Sequence, residues 1–170
     1  VCILGGGDFG VSQELCRYKA VSYIKQVDWD LEFVEIAKEY LKPIHRDAWK
    51  DPRVHVETEI CDAFDFLPKT TECFDVVYGD LTDIANVNEL MPNFASMLVR
   101  ILKEDGVFCT QAGELSNVPT ALETAIGGFK SLESTFNNIW ISRTHIPSFA
   151  YEQAFILASN NEHFDAMKYS

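Results

Sequence analysis

The sequence has no C-x-x-C pair. Its five cysteines, Cys2, Cys16, Cys61, Cys73 and Cys109, are odd in number and widely spaced. That pattern argues against a disulfide frame and against a zinc site, and His45, His55, His145 and His163 are equally scattered. Free thiols suit a reducing compartment and predict a cytoplasmic protein. There is no apolar run long enough to span a bilayer and no charged-then-apolar leader. Basic residues are scarce, 14 Lys and Arg against 26 Asp and Glu, for a formal net charge of −12. Nucleic acid and anionic membranes would be repelled by that charge. A cationic ligand would be attracted, although the same charge also serves solubility. Repeats, low-complexity tracts and Pro/Ser-rich linkers are lacking, so residues 1–170 read as one domain with room for a sizeable core. The chain begins inside an apolar run with no initiator Met, which predicts a fragment or truncated domain.

What is present is an alternation of short apolar runs and amphipathic stretches. Val1–Leu4 reads as a buried strand, followed after the glycines by a helix through Glu14, Leu15 and Cys16. Val21–Val27 is a second strand, ending at Asp28. Leu31 to Leu41 follows with Val34, Ala37 and Leu41 at helical spacing and Phe33, Ile36 and Tyr40 widening the stripe. "DPRVHVETEI" is a third strand and "FDVVYGD" a fourth, apolar enough to be buried on both faces. "NFASMLVRILKEDG" places Phe94, Met97, Leu98, Ile101 and Leu102 on one helical side, with Gly106 as its stop. "VFCTQ" is a fifth strand. Another helix starts at Pro119 and ends near Gly127–Gly128. "IWISRTHIP" and "AYEQAFILAS" are two final strands, with Trp140 and Phe149 expected in the core. The alternation predicts an α/β fold: a Rossmann-like sheet of the S-adenosylmethionine-methyltransferase type, mostly parallel, with an antiparallel last strand and helices on both faces.

In such sheets the ligand lies beyond the carboxyl ends of the strands. There the sequence places acids: Asp8 after strand one, Asp28 and Asp30 after strand two, Asp62 after strand three, Asp80 and Asp83 after strand four, and Gln111 at the end of strand five. Any single Asp is also a common turn residue or helix cap. Asp30 fits the cap of the Leu31–Leu41 helix.

Gly5, Gly7 and Gly10 fit the G-x-G-x-x-G spacing of a nucleotide-binding turn, but Asp8 sits inside it. A carboxylate there would oppose a pyrophosphate by about a few kcal/mol in a poorly solvated cleft. It would attract a sulfonium nucleoside or an attached ammonium. Asp28, at the end of strand two, can accept both ribose hydroxyls in either case. A dehydrogenase is therefore disfavoured.

"LGGGDFG", "VDWD", "DAFDFL", "FDVVYGDLTD", "TQAG" and "HIPSFAYEQAFILAS" occur in that order. Together they resemble the catalytic domain of the polyamine aminopropyltransferases, the spermidine, spermine and thermospermine synthases, over nearly the whole chain. "GDLTD", "TQAG" and "HIPSF" look closest to the thermospermine-synthase-like branch. The resemblance implies transfer of an aminopropyl group from decarboxylated S-adenosylmethionine to putrescine or spermidine, releasing methylthioadenosine, with no tightly bound cofactor and no metal. It implies that Gly5, Gly7, Asp8, Asp28, Asp62 and Ala63 hold the nucleoside, with Asp28 on the ribose and Asp62 and Ala63 at the adenine. It places Asp8 on the aminopropyl ammonium, Asp80 as general base, and Asp83 and Gln111 along the polyamine. A carboxylate at Asp8 would disfavour ordinary S-adenosylmethionine, which carries its own carboxylate near that end. A homodimer is open on the same resemblance, as is an N-terminal β-rich domain that this sequence does not show.

The sequence departs from the family pattern at two places. Phe9 stands where the family has a second glycine, and "DIANVNELMPNF" replaces the usual Pro and Gly-Pro gate after D-x-x-D. Two other readings use the same acids: a methyltransferase taking intact S-adenosylmethionine, and a non-catalytic binding domain of this fold.

Overall fold

The structure is a computed structural model that describes residues 1–81, 87–115, 126–127, 130 and 132–165, with the side chains of 87–92 outside the description. The helix expected from Pro119 falls almost wholly outside the described residues, as does Asp83.

The chain runs β1 (Cys2–Gly5), α1 (Gly10–Leu15), β2 (Tyr23–Asp28), α2 (Leu31–Tyr40), α3 (Lys42–His45), a 3-10 turn (Ala48–Lys50), β3 (His55–Ile60), α4 (Ala63–Phe66), β4 (Phe74–Asp80), α5 (Val87–Ile101), β5 (Leu102–Glu114), β6 (Asn138–Ile146) and β7 (Tyr151–Ser159). The seven strands are ordered β3-β2-β1-β4-β5-β7-β6. β1 pairs parallel with β2, and β2 with β3; β7 runs antiparallel to both β5 and β6. The expected antiparallel last strand is therefore observed. The order steps outward from β1 in one direction and from β4 in the other, so the switch point lies between these two strands, where ligands of open α/β sheets bind.

By internal contacts the chain forms two compact units. The first comprises Val1–Thr70 with Tyr78–Thr82. Its core is built on β1 and β2, where Cys2, Ile3, Leu4, Ile24 and Val27 are fully buried. α2 forms because Asp30 accepts the Phe33 N–H at 2.8 Å, the expected cap, and buries Val34 and Ala37. The stripe is narrower than its sequence suggests. Phe33, Ile36 and Tyr40 are exposed, because only the Val34–Ala37 line of α2 reaches the core.

The second unit comprises Thr71–Val77 and Asp83–Ser170. Phe94, Leu98 and Ile101 of α5 are buried as expected, and Phe94 meets Phe108 of β5 edge-on at 6.1 Å. In this unit the structure departs from the sequence pattern at three places. The α5 helix ends at Ile101 instead of reaching Gly106: Lys103 bonds Asp75 of β4 at 2.9 Å, and the Gly106 carbonyl accepts Ser159 Oγ of β7 at 2.9 Å, so neighbouring strands claim that segment. β4 is not buried on both faces, since Asp75 is exposed where it meets Lys103. Phe149 is half exposed in the turn before β7, stacked on Tyr151, and Trp140 is only partly buried against Phe164. The five cysteines are free thiols. Burial pushes the Cys109 thiol up to about 11. Among the described residues no helix is long and apolar enough to cross a membrane.

Candidate active site

The loop after β1 turns through two left-handed glycines, Gly5 at φ 85° and Gly6 at φ 66°. A Cβ on Gly5 would fall 2.1 Å from the Asp80 carbonyl oxygen, and one on Gly6 would fall 2.8 Å from Asp80 Oδ2. Only glycine lets the loop lie this close to the end of β4. The Gly6 N–H donates to the Asp80 carbonyl at 3.2 Å, which brings the Asp80 side chain to the loop.

Asp28 ties the same loop to β2. Its Oδ2 accepts the Gly7 N–H at 2.9 Å and its Oδ1 accepts the Asp30 N–H at 2.9 Å. Asp8 is partly exposed and accepts the Gly10 N–H at 2.9 Å. Three carboxylates thus gather around one glycine turn. The Asp80 carboxyl is raised above the ordinary carboxylate range, first because burial strips its water and then because Asp8 and Asp28 repel its charge.

Asp62 lies after β3 and caps α4, its carboxylate accepting the Phe64 N–H at 2.7 Å. Ala63 is buried beside it. The Cys61 N–H donates to the Asp28 carbonyl at 3.0 Å, so the start of this cap is fastened to the end of β2. Gln111 lies in the second unit on β5, where its Oε1 accepts from Gln153 Nε2 at 3.4 Å.

Phe9, the departure from the glycine pattern, takes the left-handed conformation itself, at φ 61°. Its ring is fully buried, 5.0 Å from the Trp49 ring, with Lys38 Nζ 5.6 Å above it. The side chain is used for packing inside the first unit.

Two buried polar side chains of β2 support this loop and its strand. Gln26, fully buried in β2, donates through Nε2 to the Gly5 carbonyl and to the Gly6 carbonyl at 3.1 Å, while its Oε1 accepts Ser12 Oγ at 2.7 Å. It props the glycine turn from beneath. Lys25 is buried and reaches Glu57 and Glu59 of β3, each at 2.7 Å. Burial alone would lower its pKa, but the two glutamate hydrogen bonds outweigh that and hold it well above the usual lysine value. The signal was available: polar side chains inside the buried strand "IKQVD" have to find partners. Among the described residues no group of three or more His, Cys, Asp and Glu could hold a metal ion.

The family model for the spermine/spermidine synthase domain matches residues 1–168. The chain belongs to the spermine/spermidine synthase family. Among the family's members, it is 36% identical over 168 residues to a polyamine aminopropyltransferase of Pyrobaculum islandicum, covering 94% of this chain and 55% of that one. It is also 36% identical over 169 residues to polyamine aminopropyltransferase 1 of Hyperthermus butylicus, covering 94% of this chain and 56% of the relative. The fold resembles that of the spermidine synthase from Thermotoga maritima, with a TM-score of 0.82 at 22% identity over 98% of this chain and 54% of that one. It likewise resembles a spermidine synthase solved in complex with the transition state analogue AdoDATO, with a TM-score of 0.80 at 23% identity over 98% of this chain and 54% of the other. The chain spans about half the length of the relatives it matches.

Proposed function

We propose that the chain carries aminopropyl transfer from decarboxylated S-adenosylmethionine to a polyamine amine, with Asp80 as general base. The observation that carries this reading is the carboxylate group around the glycine turn, in which Asp80 is raised by burial and by its two acidic neighbours. Such a group repels a phosphate ligand and favours one bearing separated positive charges. In this reading Asp28 accepts the ribose hydroxyls, Asp62 and Ala63 border the adenine, and Gly5 and Gly7 shape the turn beneath the nucleoside. Asp8 holds the ammonium of the aminopropyl group. Asp83 and Gln111 receive the polyamine chain.

The chemistry balances without an outside oxidant or reductant. The acceptor ammonium gives a proton to the Asp80 carboxylate, which exposes the nitrogen lone pair. That nitrogen attacks the methylene carbon beside the sulfonium, and a C–N bond forms as the C–S bond breaks. The bonding pair returns to sulfur, so methylthioadenosine leaves neutral and needs no acid. The product nitrogen keeps the positive charge as a secondary ammonium, so the one proton released overall is the one Asp80 took. An elevated Asp80 is a stronger base than an ordinary carboxylate, which suits it to this proton.

Calorimetric titration with decarboxylated and with intact S-adenosylmethionine tests the donor. A clear preference for the decarboxylated form is expected from Asp8. Equal or reversed preference overturns that role and favours methyl transfer. Turnover with putrescine against spermidine then reports the acceptor. Asp80→Asn is expected to abolish turnover while leaving nucleoside binding intact; equal loss of both would make Asp80 structural.

A further inference from the structure

A second charged feature lies within the first unit, away from the carboxylate rim. A cleft of about 700 Å³ is lined by Arg17, Arg46, Lys50 and Arg53, with Asp47 and Asp51 between them. Four of the chain's 14 basic residues meet there, against two acids, in a protein whose net charge is −12. The lining residues lie in the segments that lead into the amino ends of β2 and β3. The candidate catalytic acids follow the carboxyl ends of β1, β2, β3 and β4. The two features therefore sit at opposite ends of the parallel strands.

The cations differ in how firmly they are held. Arg53 is fixed: it bonds Asp51 through Nε at 3.2 Å and through Nη2 at 2.7 Å, and Nη2 also donates to the Cys16 carbonyl at 2.6 Å. Lys50 meets Asp47 at 3.1 Å, and Arg17 meets Glu14 at 2.7 Å. These are exposed pairs three residues apart, weak because water competes for both partners, and an incoming anion can exchange with them. Arg46 forms no salt bridge with the described residues. It ends α3 in a left-handed turn at φ 45°, with its backbone N–H used on the Lys42 carbonyl and its side chain exposed.

We infer that this cleft binds a small molecule bearing two or more phosphates. Its volume lies inside the range of about 300–1,000 Å³ typical of small-molecule sites. Six of its ten lining residues are charged, four of them basic, so an anionic ligand is favoured over a neutral one. Arg46 supplies an uncommitted guanidinium, Lys50 and Arg17 supply exchangeable charges, and Arg53 is a fixed post. The global negative charge does not cancel this local field, because screening in physiological salt limits exposed charges to about 8 Å. A ligand here leaves the acidic rim free for its own cationic ligands. The site would therefore serve regulation or tethering, separate from the transfer chemistry.

The test is calorimetry of the 170-residue chain with inorganic tripolyphosphate, at low and at physiological ionic strength. One saturable site is expected. Arg46→Gln with Lys50→Gln should weaken it by about tenfold or more. Lys103→Gln, in the second unit, should change it less than about twofold. Circular dichroism checks the fold, and Arg46→Gln alone repeats the test should the double variant unfold. Absence of saturable binding, or equal weakening by Lys103→Gln, overturns the proposal. A single-stranded oligonucleotide of matched charge binding more tightly than tripolyphosphate also overturns it, in favour of a nucleic-acid surface.

Discussion

Replacing Phe9 by glycine, the residue that the family pattern carries there, sets two effects against each other. The ring is fully buried and packed on Trp49 at 5.0 Å, and truncating such a phenylalanine to alanine costs about 3–5 kcal/mol. The backbone at φ 61° costs a side-chain-bearing residue about 1–2 kcal/mol, which glycine recovers, less up to about 1 kcal/mol for its freer unfolded chain. Phe9→Ala loses the ring and keeps the strain, so it should be destabilised by about 3–5 kcal/mol. Phe9→Gly should be destabilised by about 2–4 kcal/mol, sitting between alanine and the parent. Urea unfolding followed by tryptophan fluorescence gives both values, with Trp49 reporting from the contact itself. A glycine variant as stable as the parent would refute the reasoning, because strain would then outweigh packing. An alanine variant equal to glycine would show that the left-handed backbone costs no more than the chain entropy glycine adds, about 1 kcal/mol.

Lys25→Met should change stability by less than about 1 kcal/mol, because the lost ammonium was buried while Glu57 and Glu59 are half exposed and can rehydrate. Glu57→Ala with Glu59→Ala should cost more than Lys25→Met, since it removes both carboxylates that hold a buried ammonium; equal effects in the two unfolding curves would contradict this asymmetry. Asp80→Asn should raise the urea midpoint at neutral pH. With its folded pKa raised, Asp80 binds a proton more readily in the folded state, so its charge destabilises the parent fully above that pKa. The advantage of asparagine should shrink as pH falls and vanish below about 3.9, the unfolded value. A midpoint difference independent of pH would refute the assignment of burial and repulsion to Asp80. The rate of the proposed transfer should rise with pH as Asp80 ionises and the acceptor amine sheds its proton more easily.

The parallel half of the sheet was legible because β1, β2 and β4 end on acids and glycines that have few alternatives at a strand end. β4 falls on Phe74–Asp80 as expected, and Asp30 caps α2. Less legible was whatever depended on distant partners. Gly106 read as a helix stop because local sequence alone cannot reveal that Ser159, 53 residues away, bonds its carbonyl. Phe33, Ile36 and Tyr40 fit a helical stripe, but periodicity does not report how wide a face the sheet can cover. In the site, the acids were visible from their spacing, whereas Gln26 showed only as a polar residue in a buried strand, with nothing local to name what it holds. Its partners, the Gly5 and Gly6 carbonyls, come from a turn about twenty residues earlier.

Asp28 holds the Gly7 and Asp30 backbones with separate oxygens. A change to asparagine would turn one of those acceptors into a donor facing another donor. Selection at this position therefore acts on folding whatever ligand the rim receives. A lineage seeking a different nucleoside would have to vary elsewhere first, and the exposed Asp62, which caps only a single helical turn, is the freer place to begin.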